Sequence, residues 1–259
     1  MNNVLKSIGW ANWTINPVKG LCPMNCGGDK SKEGYCYARR IYKRFGWNPE
    51  IRYEPQVMIE LAKMKDGSKV FCGSTIDLFH PLCSKWNGDI FNVCSHYPDL
   101  IFIFLTKCPE NLPKEFPSNC WVGVSVTNTT QFIEAHRYLL PPINSKVRII
   151  SFEPLLNPIT YPVVAKSRPY GYPLCVPLGE CCDWVIIGAQ SPFSQKTAPS
   201  IRWVKEIVES ADKIGIPVFL KNNLVPLFDE NKDGKFLYPE WAMNKNNFAL
   251  RQEFPKEKK

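Results

Sequence analysis

Apolar runs of strand length recur along this chain, with helix-compatible stretches between them. Residues 8 to 18, IGWANWTINPV, form a short apolar-aromatic strand that ends in Asn-Pro, a turn signal. KVFCGSTIDLF, residues 69 to 79, is a second β-rich run, interrupted by Gly-Ser-Thr. IFIFLTK, Ile101 to Lys107, is continuously apolar and bounded by polar residues, as in a strand buried on both faces of a parallel sheet. CWVGVSVTN (120 to 128), VRIISFEPLL (147 to 156), WVIIGAQS (184 to 191) and PVFLKNN (217 to 223) bring the series to seven. Between them lie YARRIYKRF directly after Cys36, PQVMIELAKM over roughly 55 to 64, a short segment from Cys83 to Ser95, TTQFIEAHRYLL, and the amphipathic SIRWVKEIVESADKIG. This alternation predicts an α/β fold, a parallel-stranded partial (β/α) barrel of six to seven strands, in one domain spanning residues 1 to 259. Residues 157 to 183, rich in Pro and Tyr, read as an insertion, and 224 to 259 as a C-terminal extension.

Parallel α/β folds collect ligands at the C-terminal ends of their strands. The polar residues there are Ser74, Thr75, Asp77, Lys107, Ser125, Thr127, Glu153, Gln190 and Lys221. Each is either a candidate ligand group or a residue that caps a loop.

Composition narrows the class. The 259 residues are 44 % hydrophobic, enough for a sizeable core, and no apolar run approaches the length of a membrane span. MNNVLKSIGW is not a signal peptide, so a cytoplasmic protein with no membrane partner is expected. In that compartment eleven cysteines read as metal ligands, buried small hydrophobes or reactive thiols rather than disulfides. The net charge of +8 favours an anionic partner such as a nucleic acid.

The most distinctive stretch runs from Asn16 to Arg40, NPVKGLCPMNCGGDKSKEGYCYARR. Its thiols, Cys22, Cys26 and Cys36, could hold three irons of a 4Fe–4S cluster and leave the fourth iron open for a ligand. The alternatives are three unrelated thiols or a zinc knuckle without its fourth ligand. Cys175, Cys181 and Cys182 form a second thiol group, a weaker metal candidate because vicinal cysteines on an extended chain point in different directions. Residues 229 to 240, DENKDGKFLYPE, match a calcium-loop pattern, but Pro226 and Pro239 favour a plain Asp-Gly turn.

CPMNC followed by YCYAR resembles the cluster loop of radical S-adenosylmethionine enzymes, particularly spore photoproduct lyase and its relatives. The superfamily spaces its cysteines by three residues and then two; here the second gap is nine, and GGDKSKEG, residues 27 to 34, reads as an insertion. A polar Gly/Lys loop can bulge outward while its ends stay close, since loop length costs little entropy. Over nearly the whole chain, TINPVKGLCP, YCYAR, VFCGSTIDLFH, FLTKCPENL, NCWVGVSVTN, SFEPLL, DWVIIGAQS and PVFLKNN resemble an uncharacterised radical-SAM-like family of phages and bacteria with a three-cysteine motif.

The resemblance implies a barrel of radical SAM type, with a 4Fe–4S cluster and S-adenosylmethionine as cofactors. Reductive cleavage would give a 5′-deoxyadenosyl radical, and a flavodoxin or ferredoxin would supply the electron. Ser74 and Asp77 would hold the methionyl amino group, Lys107 the carboxylate, Ser125 the ribose or carboxylate, and Tyr35 would lie near the adenine. Thr127, Glu153 and Gly188 complete the cofactor-binding set at the strand ends; Gln190 stands where relatives often carry a glutamate. Cys72 is the candidate hydrogen-atom donor, its alternative a small buried hydrophobe. The expected substrate is a nucleic acid or nucleotide base. The other readings are radical modification of a peptide or protein, and a non-catalytic iron–sulfur module that binds nucleic acid.

Overall fold

The computed structural model describes residues 2–3, 8–27, 34–139, 143–160, 178–229 and 237–256. Its strands are β1 (Asn2–Asn3), β2 (Trp13–Ile15), β3 (Val18–Lys19), β4 (Arg52–Tyr53), β5 (Lys69–Cys72), β6 (Ile101–Thr106), β7 (Cys120–Ser125), β8 (Arg148–Phe152), β9 (Trp184–Ile187) and β10 (Val218–Leu220). Its helices are α1 (Tyr37–Phe45), α2 (Pro81–Ser84), α3 (Asn87–Ser95), α4 (Thr129–Leu139), α5 (Leu178–Cys181) and α6 (Ile201–Asp212). Each of the seven expected runs contains one of the strands β2 and β5 to β10, and each of these seven runs parallel to a neighbour. The protein is therefore an α/β protein. Its chain divides into two compact units, Met1–Val124 with Pro142–Arg148, and Ser125–Pro141 with Ile149–Lys259.

In the first unit β5 lies between β2 and β6, parallel to both, with Ile15 beside Cys72 and Cys72 beside Phe104. β6 pairs in parallel with β7, and β1 adds an antiparallel edge to β2. Phe102, Ile103 and Phe104 are all buried, so both faces of β6 are covered, and this is why its sequence is continuously apolar. On one face Val70, Cys72, Phe102, Phe104, Cys120 and Val122 pack with Met58, Leu61, Phe79, Ile90 and Cys94.

One local expectation changes. Residues 55 to 63 form successive 3₁₀ turns rather than an α-helix, with Val57 N–H bonded to Glu54 and Met64 N–H to Leu61. Three residues per turn place Met58, Leu61 and Met64 on one side, toward the core, and leave Ile59 exposed. The apolar run at 69 to 79 breaks at the expected Gly-Ser-Thr: β5 ends at Cys72, and Gly73 takes a positive φ of 77° that turns the chain.

The second unit holds β8, β9 and β10 in parallel, with Trp184, Val185, Ile186 and Ile187 all fully buried. The C-terminal extension packs on this unit: Phe254 meets the rings of Trp184 and Phe219, and Glu253 accepts from Val218 N–H at 3.0 Å. Among the described residues, no helix is long and apolar enough to cross a membrane.

Candidate functional site

The cysteine loop is fastened at both ends. On entry, Gly20 N–H donates to the buried Tyr42 hydroxyl of α1 at 2.8 Å, and Leu21 N–H donates to the Pro49 carbonyl at 2.9 Å. On exit, Cys36 occupies the N-cap of α1. Arg39, in the first turn of α1, reaches back and donates to the carbonyls of Cys22 and Met24, both at 3.0 Å. The loop's shape therefore depends on a helix that its own last cysteine begins.

Residues 28 to 33 of the expected insertion lie outside the described residues, but its two ends do not. Gly27 and Gly34 both have positive φ, 97° and 53°. A Cβ on Gly27 would lie 2.8 Å from Gly34 Cα, and one on Gly34 would collide with the Cys26 carbonyl oxygen. Glycine is required at both positions, and the close approach brings Tyr35 and Cys36 back beside Cys26. The long second gap is thus closed at its base.

The three thiols interact. Cys26 donates to Cys36, and this bond first, then the N–H groups of Arg39 and Ala38 and the Arg39 charge, draws the Cys36 thiol from its ordinary 9.0 down to about 6 against the effect of burial. The same bond, together with burial, pushes Cys26 up, partly offset by the nearby Lys107 ammonium. Burial raises Cys22, while the N–H groups of Asp77 and Met24 act the other way. Asp77 N–H donates to Cys22 Sγ at 3.5 Å. Among the described residues, no group of three or more His, Cys, Asp or Glu is arranged as a ready metal cage. The donor chemistry still fits an iron–sulfur group, for three sulfurs share one pinned loop, one already favours its thiolate, and backbone N–H groups point at two of them.

Asp77 ties the loop after β5 to the end of β6. Its Oδ1 accepts from Phe79 N–H at 3.0 Å and from the Thr106 hydroxyl at 2.8 Å, and its Oδ2 accepts from Lys107 N–H at 2.7 Å. Burial raises this carboxyl and those three donors oppose the shift. The Ser74 hydroxyl exchanges hydrogen bonds with the Asn16 amide at 3.1 and 3.3 Å, and the Tyr37 hydroxyl donates to the Ser74 carbonyl. Lys107 Nζ lies 5.9 Å from the centre of the Tyr35 ring. Seven of the expected residues therefore belong to one neighbourhood of the first unit: Cys22, Cys26, Cys36, Tyr35, Ser74, Asp77 and Lys107.

Cys72 sits in the apolar core, 1 % exposed, in hydrogen-bond contact with Cys94, which also pairs with Cys120. That environment suits a small buried hydrophobe. Cys83 and Cys108 are two further thiols of this region: burial first, then Cys22 and Asp77 for Cys83 and Asp77 for Cys108, pushes each to about 12, and Cys108 Sγ lies 3.3 Å from Met24 Sδ. Asn16, Tyr37, Arg39 and Thr106 were missed as well. In the sequence Asn16 reads only as half of a turn signal, although a side-chain amide at the end of a strand whose parallel neighbour ends in Ser-Thr is a usable cue.

In the second unit, Lys221 after β10 forms an ion pair with Glu153 after β8, with side chains 10 % and 21 % exposed. Gly188, between them after β9, packs closely on both: a Cβ there would be 3.0 Å from Lys221 Cδ and 3.2 Å from Glu153 Cγ, so those side chains would have to shift slightly. The Asn223 side chain accepts from Ala189 N–H at 3.0 Å and donates to its carbonyl at 2.7 Å. Thr127 donates its N–H and its hydroxyl to Gln131 Oε1 at 2.8 and 2.9 Å, and Ser125 ends β7 half-buried. Cys181 and Cys182 are buried, and both thiols bond the Leu178 carbonyl; Cys175 lies outside the described residues. So does most of the calcium-like segment, residues 230 to 236.

No curated protein and no solved structure matches the chain. A family model described as "Protein of unknown function (DUF5131)" matches residues 6–226, and across most of its length the chain therefore belongs to that family.

Proposed function

We propose that this chain is a radical S-adenosylmethionine enzyme that acts on a nucleic acid or a nucleotide base. The observation that carries the reading is the closure of the insertion at Gly27 and Gly34, which sets Cys36 beside Cys26 on a loop that also holds Cys22. Cys22, Cys26 and Cys36 are the residues that would hold a 4Fe–4S cluster. With S-adenosylmethionine bound, that group supplies one-electron reductive cleavage and a carbon-centred radical.

This chain's own residues then have separable roles. Arg39 fixes the loop through two carbonyls, and its N–H and charge favour the Cys36 thiolate. The Lys107 ammonium, next to Tyr35 and within electrostatic reach of Cys26, gives a carboxylate a charge-assisted partner. Asp77 has three of its roughly four acceptor sites filled by protein donors, so it orients through the remaining one and through the strand ends it joins. Ser74 has its hydroxyl held by the Asn16 amide, at the end of the strand that precedes Asp77. The net charge of +8 supports a polyanionic substrate.

The test is anaerobic reconstitution with iron and sulfide, followed by dithionite and S-adenosylmethionine, with 5′-deoxyadenosine measured by chromatography. Wild-type protein is expected to release it and Cys36→Ala is expected not to. Equal yields from both proteins, or none from wild type carrying a full cluster, would overturn the reading.

A further inference from the structure

We propose that the C-terminal end of α1 and the turn after it form a docking platform for single-stranded nucleic acid. The inference deepens the reading above by naming how a polyanionic substrate is held, and it rests on that reading for its link to catalysis.

The sequence from 37 to 53, YARRIYKRFGWNPEIRY, carries five basic residues against one acidic. Arg39 is used inward, on the cysteine loop, and Arg40 donates to the Tyr35 carbonyl at 3.2 Å. Arg44 instead is exposed, its guanidinium 5.4 Å from the centre of the Phe45 ring. Helix α1 ends at Gly46, whose left-handed φ of 58° reverses the chain and folds Trp47 back over the helix end, with Trp47 N–H on the Tyr42 carbonyl at 3.1 Å.

The reversal stacks two large rings in the open. Phe45 and Trp47 lie 5.7 Å apart at an interplanar angle of 23°, while Tyr42 meets Trp47 edge-on at 5.3 Å. Phe45 is 58 % exposed and Trp47 is 47 % exposed, although rings of this size normally bury most of their surface. A stack of exposed aromatics flanked by arginine is what unpaired bases and their phosphates recognise. Every base offers a π-face, and guanidinium adds both charge and stacking. A duplex hides those faces, so the platform selects single strands. Charge argues against an acidic-poor apolar partner, because the rings are bordered by cations on their own helix.

The experiment is fluorescence anisotropy of a labelled single-stranded oligothymidine of about twelve residues, a length that spans one such site, titrated with the full-length protein. Phe45→Ala or Trp47→Ala is expected to weaken binding about ten-fold or more, the cost of one lost stacking partner. Trp47→Phe, which keeps a ring, is expected to restore most of the affinity. Arg44→Ala is expected to lower the salt slope by about one. Circular dichroism checks that these exposed substitutions leave the fold intact. Wild-type affinity in the Phe45→Ala, Trp47→Ala double variant would overturn the proposal. So would no binding at low salt, or labelled polyglutamate binding with the same dependence on the two rings. The assay reads binding alone, so loss of S-adenosylmethionine cleavage would sink the catalytic reading and leave the platform standing, and the converse also holds.

Discussion

Asp77 shows how much one side chain can join. Its two oxygens take donors from Phe79, Thr106 and Lys107, and its own N–H faces Cys22. Asp77→Asn replaces one accepting oxygen by an NH₂ that has no acceptor there and leaves a buried donor unmatched. We expect a loss of roughly 1–3 kcal/mol in urea unfolding together with weaker iron retention after reconstitution. A silent substitution would mean that Asp77 is not the joint between β5 and β6. The sulfurs give a second test at this scale. Because the Cys36 thiol is held at about 6, its thiolate predominates at neutral pH, whereas Cys83, pushed to about 12 by burial, stays protonated. In metal-free protein, iodoacetamide labelling read by mass spectrometry should modify Cys36 with a midpoint near pH 6 and leave Cys83 unmodified at pH 8. A Cys36 midpoint near 9 would contradict the hydrogen-bonded pair.

At the level of elements, the strands were legible because burial on both faces writes itself as unbroken apolar sequence, as in β6 and β9. The 3₁₀ run at 55 to 63 was not, because apolar residues at Met58, Leu61 and Met64 fit a spacing of three as well as they fit an α-helix. Much of the candidate site was readable as well: the cysteines stood out by type, and Ser74, Asp77 and Lys107 by position at strand ends. Asn16, Arg39 and Thr106 were not, since their roles come from contacts made across 58, 17 and 29 residues of chain. The closure of the cysteine loop depends on backbone room, and two glycines can test it. Gly34→Ala meets the Cys26 carbonyl, whereas Gly46→Ala, at a similar positive φ, meets nothing within 4 Å. Gly46→Ala should cost about 1 kcal/mol of backbone strain alone. Gly34→Ala should cost clearly more and also lower the iron bound per chain. Equal melting temperatures for the two variants would remove the close approach at Gly34 from the account.

On the scale of the whole chain, the alternation of apolar runs and helical segments already showed the α/β pattern, and the chain divides into two compact units. Each unit carries its own strand-end polar group. In the second, the Glu153–Lys221 pair is nearly buried, so Lys221→Met strands a carboxylate and should cost about 3 kcal/mol in urea unfolding. Adding Glu153→Leu should recover most of that loss, and a double variant as unstable as the single one would show that Lys221 acts through something other than this pair. In the first unit the three thiols share one pinned loop. The most direct test of a cluster there is electron paramagnetic resonance of anaerobically reconstituted, dithionite-reduced protein, recorded with and without S-adenosylmethionine. We expect about four irons per chain and a reduced-cluster signal that shifts when S-adenosylmethionine is added, with both lost in Cys36→Ala. Iron that binds equally well without Cys36, or a cluster signal indifferent to S-adenosylmethionine, would contradict the account.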